Sequence, residues 1–170
     1  MSNTRLISGS MLFAMTLGMS VALADDDHND REFVAEAASG GQMEVRIGNY
    51  AAKNGDSDAV RDFGKQMEQD HSKVNDELKA VAAHDSIDVP SDLNVQDHEA
   101  LERLKKMKGR DFDRAYIQQM VQAHEQDIAA FQNEASNGRN DRVRDFAQRE
   151  LPLLQHHLQM AEDIDRHVEH

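Results

Sequence analysis

The chain has 170 residues, with 19 Lys and Arg against 32 Asp and Glu, no Cys and two Pro. The formal net charge of −13 argues against nucleic-acid binding, because so acidic a chain cannot neutralise a phosphate backbone. The absence of Cys excludes disulfides, thiolate metal sites and Cys nucleophiles. The length fits one domain, and the long stretches with apolar residues at helical spacing favour an all-α fold.

Residues 1–24 have the pattern of a secretory signal peptide. Arg5 is the only charge, the residues up to Leu23 are mostly apolar or small, and the segment ends on a small-residue cleavage pattern. We expect cleavage after Ala24 and a periplasmic protein, with secretion as the second choice. The alternative is an uncleaved anchor helix. No other stretch has the roughly 20 apolar residues of a membrane span, so none is expected after cleavage.

The remaining chain divides into a short acidic tail and one helical domain. Residues 25–29 are predicted to be a disordered tail, and residues 30–170 to be the domain. Turn residues with helix-starting chemistry follow Asn54 and Asn137. Together with the apolar spacing they predict four long helices, at about 30–54, 57–84, 111–136 and 140–168. A crossover at about 85–110 carries a short extra helix at about 97–108, which is typical of a four-helix bundle with one long connection.

The two predicted hairpins resemble each other in sequence. The chain reads NGDSDAVRDFGKQ from Asn54 and NGRNDRVRDFAQR from Asn137, an offset of 83 residues (137 − 54). This offset also aligns Glu44 with Asp127. The similarity indicates a duplicated hairpin, although chance convergence on helix-start chemistry is the alternative.

Each long helix places an ionisable residue among its apolar, inward-facing positions. Buried ionisable groups are costly unless they are paired, hydrogen-bonded or bound to a metal. With a rise of about 1.5 Å per residue, these positions fall near the middle of the bundle whichever way the turns are arranged. The six residues are Glu44, His71, His124, Asp127, Glu150 and His157.

This pattern predicts a cluster of imidazoles and carboxylates inside the bundle. Such ligands suit a divalent Zn, Fe, Mn or Cu ion, without specifying which one. The predicted metal ligands are Glu44, His71, His124, Asp127 and His157. Accessory roles fall to Asp70, Glu150 and His156, although His156 is expected to point away from the bundle interior. The alternative is a purely structural, hydrogen-bonded polar network.

Three segments carry a family resemblance: FGKQMEQDH, FDRAYIQQMVQAHEQDIAAF and FAQRELPLLQHHLQMA. From about Phe33 to Ala161 the chain resembles the exported bacterial domain-of-unknown-function family numbered four-one-four-two, often labelled predicted outer-membrane protein. The resemblance implies a ferritin-like periplasmic four-helix bundle. It carries recurrent polar positions onto the five predicted metal ligands but does not include Glu150, and it implies no activity.

Three functions remain open from the sequence. The first is a periplasmic protein that sequesters, buffers or senses a divalent metal, or acts in envelope stress. The second is a ferritin-like di-metal redox enzyme, although the Glu of each Glu-x-x-His motif is missing from the interior positions. The third is a non-catalytic envelope stress or interaction protein with a structural polar core. A homo-oligomer is left open by the sequence, and the protein partner is unknown.

Overall fold

The computed structural model describes residues 26–168 and, within them, the side chains of residues 30–167. In this range the chain is all-α, with five helices and no strand, as predicted. The predicted signal peptide (1–24), its cleavage site and Asp25 lie outside the described residues. The helices are α1 (Asp26–Asn54), α2 (Asp58–His84), α3 (Val95–Lys105), α4 (Gly109–Asn137) and α5 (Asp141–Val168).

The observed helix ends differ from the predicted ones by a few residues. The helix α1 begins at Asp26, within the segment predicted to be an acidic tail. The helix α3 begins at Val95, two residues before the predicted start. This earlier start has a local cause, because the side chain of Asn94 accepts a hydrogen bond from the backbone N–H of Asp97 and caps the helix.

The helices form a bundle of two hairpins. The helix α1 packs along α2, and α4 packs along α5, while α2 contacts α5 and α1 contacts α4. The short helix α3 packs against α1 and α4. Between Asp26 and Val168, no helix combines the length and the apolar character that crossing a membrane would require.

Two apolar clusters fill the bundle, and a polar layer separates them. The first cluster surrounds the α1–α2 turn and includes Ile47, Phe63, Phe112 and Tyr116. The second cluster surrounds the α4–α5 turn and is built around residues such as Phe146. Each long helix contributes to both clusters and carries a buried ionisable residue at or next to the boundary between its two contributions: Glu44, His71, His124 and His157.

The two hairpin turns make the same hydrogen bonds at the 83-residue offset. Both carboxylate oxygens of Asp113, on α4, accept the backbone N–H groups of Asp56 and Ser57, at 2.9 and 2.8 Å. Both carboxylate oxygens of Asp30, on α1, accept those of Arg139 and Asn140, at 3.1 and 2.8 Å. Each hairpin turn is therefore fastened to the first turns of a helix in the other hairpin.

The glycines of the two turns are also equivalent. A Cβ at Gly55 would lie 2.9 Å from the carbonyl oxygen of Ala51, and one at Gly138 would lie 2.7 Å from the carbonyl oxygen of Glu134. Real Cβ atoms do not approach a backbone oxygen this closely, so both turns require glycine. The carbonyl oxygen of each glycine accepts a hydrogen bond from an arginine, Arg61 or Arg144.

We expect Asp113→Asn to destabilise the fold by about 1–3 kcal/mol, because the buried side chain then offers one acceptor oxygen, without a charge, to two backbone N–H groups. Urea unfolding followed by circular dichroism measures this change. The matched control is Asp111→Asn on the same helix, whose carboxylate is 85% exposed. It should cost less than about 1 kcal/mol. Equal costs for the two variants would contradict a fastening role for Asp113.

Candidate metal centre

The polar layer brings together one carboxylate and three imidazoles from the four long helices. Glu44 comes from α1, His71 from α2, His124 from α4 and His157 from α5. All four are buried, with at most 2% of each residue exposed. The three imidazole rings have centroids 5.3 to 5.5 Å apart, so they face one another around a common centre.

The carboxylate of Glu44 bridges two of the histidines. Its Oε2 lies 2.9 Å from Nδ1 of His71, and its Oε1 lies 3.5 Å from Nδ1 of His124. The Oε1 atom has no hydrogen-bond partner among the described residues. Glu44 is thus held by His71 and keeps one oxygen free.

Each histidine has one ring nitrogen facing an acceptor. Nδ1 of His71 faces Glu44, Nδ1 of His124 lies 2.9 Å from the carbonyl oxygen of Met120, and Nε2 of His157 lies 3.3 Å from Oδ2 of Asp70. Since these oxygens can only accept, the three nitrogens are the ones that carry hydrogen. Metal-binding histidines are oriented in this way, by a carboxylate or a backbone carbonyl behind the ring.

The other ring nitrogens are buried and have no partner among the described residues. They are Nε2 of His71, Nε2 of His124 and Nδ1 of His157. A nitrogen from each ring lies within 4.8 Å of one from each of the other two rings. Three converging rings that each keep a buried nitrogen without a partner are unfavourable without a ligand, because buried polar groups are normally hydrogen-bonded.

The donor set and spacing fit a first-row divalent metal. Neutral imidazoles suit Zn²⁺ and Cu²⁺ especially well, and three histidines are a known zinc ligand set. Tetrahedral zinc with bonds of about 2.0–2.1 Å holds its ligand nitrogens about 3.3 Å apart. The rings therefore need only move inward by about 1 Å to meet such an ion, a shift that small side-chain rotations supply.

Glu44 and His71 form the charged pair of the layer. Burial alone would raise the pKa of Glu44, but the positive charges of His71 and His124 outweigh it and lower that pKa to about 2. Burial would likewise lower the pKa of His71, but the charge of Glu44 outweighs it and raises that pKa. Glu44 is therefore ionised at neutral pH and favours a protonated His71 in the metal-free protein.

The other two histidines are held neutral. Burial lowers the pKa of His124, and the nearby charge of His71 adds to this effect. Burial, with the charges of His71 and His124, lowers the pKa of His157 to about 4. Neutral imidazole is the form that binds a metal, so these two rings are ready for it near pH 7, whereas His71 must release its proton.

The predicted ligand Asp127 lies beside the group of three histidines rather than in it. It is half-buried, and it lines a polar cavity of about 260 Å³ between α1, α3 and α4 that also reaches Glu44. Burial, then the negative charges of Glu44 and Asp97, raise its pKa well above the usual range. Asp127 therefore lies between this cavity and a small internal space that it lines together with Glu44 and His71.

The three predicted accessory residues have different surroundings. Asp70 contacts His157, and its pKa is lowered: burial would raise it, but hydrogen bonds from Lys73 and His157 outweigh that effect. Burial and the neighbouring Glu77 raise the pKa of Glu150. His156 is exposed, as expected for its side of α5, and lies beside His157 without joining the three buried rings.

Asp97 is a neighbour of the site that the sequence analysis missed. Its Oδ2 accepts a hydrogen bond from the buried hydroxyl of Ser39, which in turn accepts the backbone N–H of Asn94 at 2.8 Å. These bonds attach the start of α3 to α1 and place Asp97 on the cavity wall. The cap pattern from Asn94 to Asp97 was the available signal, because it marks the start of a helix.

The chain belongs to the family described as Domain of unknown function (DUF4142), whose model matches residues 18–164. This confirms the family that the three sequence segments indicated. Neither the comparison with curated proteins nor the comparison with solved structures gave a match.

We expect Glu44→Gln to lower the pKa of His71 below 6.5 in the metal-free protein. The reason is that burial remains while the opposing negative charge is removed. The wild-type pair stabilises the fold above the ordinary pKa of Glu44, 4.5, and this contribution is lost as the pH rises through the raised pKa of His71.

An NMR titration of the histidine ring protons measures these pKa values. The matched control is Glu32→Gln, at an exposed position on α1, which should leave His71 titrating as in the wild type. An unchanged His71 pKa in the Glu44 variant would show that the carboxylate does not control this ring.

Proposed function

We propose that the protein binds one divalent transition-metal ion in the middle of the bundle through His71, His124 and His157. Glu44 and Asp70 act as positioning residues that orient two of the rings. The observation that supports this most strongly is a group of three buried rings that each keep an unpartnered nitrogen and that bring one nitrogen apiece within 4.8 Å of the others. A zinc or copper ion is favoured over iron or manganese, because imidazole nitrogen dominates the donor set.

We also propose a cellular location and a fold type for this metal-binding protein. The signal-peptide pattern in residues 1–24 supports export to the periplasm. The arrangement of four long helices, with α3 in the connection between the hairpins, supports a ferritin-like four-helix bundle. A periplasmic bundle of this kind would sequester or buffer the metal, directly or as part of an envelope stress response.

A purely structural polar layer is the alternative that the unpartnered atoms disfavour. Buried polar networks stabilise a fold when every member is satisfied, and a partly satisfied network is costly. Here each ring is held by one nitrogen, while the second nitrogen is buried and has no partner. This arrangement favours rings that bind a ligand through the second nitrogen over a polar network that only fixes the register of the helices.

A di-metal redox centre needs more carboxylate ligands than this layer supplies. Di-iron bundles use a Glu from each of two helices and a Glu-x-x-His motif from each of the other two. Around the three histidines, Glu44 is the carboxylate in direct contact with two of the rings. We therefore place a mononuclear site ahead of a dinuclear one.

We expect the metal-free protein to bind one Zn²⁺ per chain in equilibrium dialysis, and His157→Ala to lose this stoichiometric binding. The matched control is His156→Ala, which removes an exposed neighbour on the same helix and should bind like the wild type. Zinc at 100 times its dissociation constant should stabilise the wild type by about 2.7 kcal/mol.

Circular dichroism of both variants checks that the helices remain folded. The proposal is contradicted if the wild type shows no stoichiometric binding of Zn²⁺ or Cu²⁺. It is also contradicted if His157→Ala, still folded, binds as tightly as His156→Ala.

A further inference from the structure

A polar cavity links the surface to the buried layer. It measures about 260 Å³, lies between α1, α3 and α4, and reaches Glu44 at its inner end. A second cavity of about 220 Å³ adjoins it and shares Gly40, Asp97 and Asp127 with it. The cavities are open to solvent on the α3 side, where Gln96 is exposed.

The cavity wall carries four acidic side chains against one arginine. The acids are Glu44, Asp97, Glu99 and Asp127, and the cation is Arg103, whose guanidinium donates a hydrogen bond to Gln119. The remaining polar lining is rich in glutamine amides. A cleft with one sign of charge concentrates ions of the opposite sign, and oxygen ligands accept a divalent cation readily.

One atom connects this cavity to the histidines. Glu44 is 2% exposed, its Oε1 has no hydrogen-bond partner, and the residue lines the cavity. The same carboxylate contacts His71 through Oε2, and its Oε1 lies 3.5 Å from Nδ1 of His124. Glu44 therefore stands between the cavity and the nitrogen ligands, with a free oxygen available to a cation.

A second space that borders Glu44, His71 and Asp127 inside the bundle is far smaller. Beside His71, Asn75 and Leu78 it measures about 10 Å³, which is at most the volume occupied by one water molecule. Of these two spaces that border Glu44, the cavity between α1, α3 and α4 is therefore the one wide enough to admit a cation.

We propose that the cavity between α1, α3 and α4 is the entry path by which a divalent cation reaches the three histidines. Asp97 and Asp127 are transient oxygen ligands on its wall, and Asp127 loses a proton when the cation arrives. Glu44 then passes the cation to the imidazoles. This proposal rests on the proposed metal site and assigns a role in its loading. Because transient ligands act on the path and not on the bound state, they alter rates of binding and release together.

The test mixes metal-free protein with Co²⁺ in a stopped-flow spectrometer and follows the visible absorption of the bound ion. We expect the double variant Asp97→Asn/Asp127→Asn to lower the association rate constant at least about tenfold. Its dissociation constant should stay within about fivefold of the wild type. The matched control is Asp62→Asn/Asp145→Asn, which removes two exposed charges away from the cavity and should change the rate less than about twofold.

A second variant blocks the path without removing charge. Gly40 lines both cavities, and a Cβ built there has no atom within 4 Å, so Gly40→Leu fits into the open space. It should slow both association and release with little change in affinity. Slowing in this variant and in the aspartate pair together would support the path.

The outcomes separate the two proposals. If the wild type binds one Co²⁺ that His157→Ala loses, but the aspartate pair and Gly40→Leu load at the wild-type rate, only the entry path is overturned. If the aspartate pair loses stoichiometric binding, Asp127 or Asp97 is a permanent ligand and the path is likewise overturned. If the wild type binds no Co²⁺, Zn²⁺ or Cu²⁺, both proposals fall.

Discussion

The contact between Glu44 and the buried histidines is the constraint on which the rest of the site depends. A carboxylate and three imidazoles are expensive to bury, and the cost is tolerable only if their charges and hydrogen bonds are matched. Glu44 raises the pKa of His71 and so favours its protonated form, while burial and like charge lower the pKa values of His124 and His157 and favour their neutral forms. Two apolar clusters pack on either side of the layer and hold these four side chains in place. The side chains of the clusters themselves contribute no charged group to the site.

The fold repeats itself at the turns but not at the site. Asp30 and Asp113 fasten opposite turns by equivalent hydrogen bonds, 83 residues apart. The same offset aligns His71 with Leu154 and His157 with Val74, so these two histidines have apolar residues at the equivalent positions of the other hairpin. The repeated turns give the two hairpins a common arrangement. The site needs both hairpins, because its residues come from all four long helices.

Apolar periodicity predicted the helices and the depth of the buried histidines, because helical rise and spacing fix both. Periodicity could not predict that Asp127 lines a cavity and lies outside the group of three rings, because the cavity is formed by the packing of α3. The helix α3 lies in a connection without strong periodicity. Asp97 was missed for the same reason. Glu150 and His157 lie two turns apart on α5, but Glu150 lies beside Glu77 and His157 lies among the histidines. The packing of the helices decides this difference.

The most direct test of the central claim is X-ray absorption spectroscopy of the protein loaded with one equivalent of zinc. If His71, His124 and His157 are the ligands, the spectrum will show three imidazole nitrogens at about 2.0–2.1 Å from the ion. A shell made of oxygen alone, or a signal with one or no imidazole, would contradict it. In that case the three histidines would not be the ligands, and the polar layer would need a different explanation.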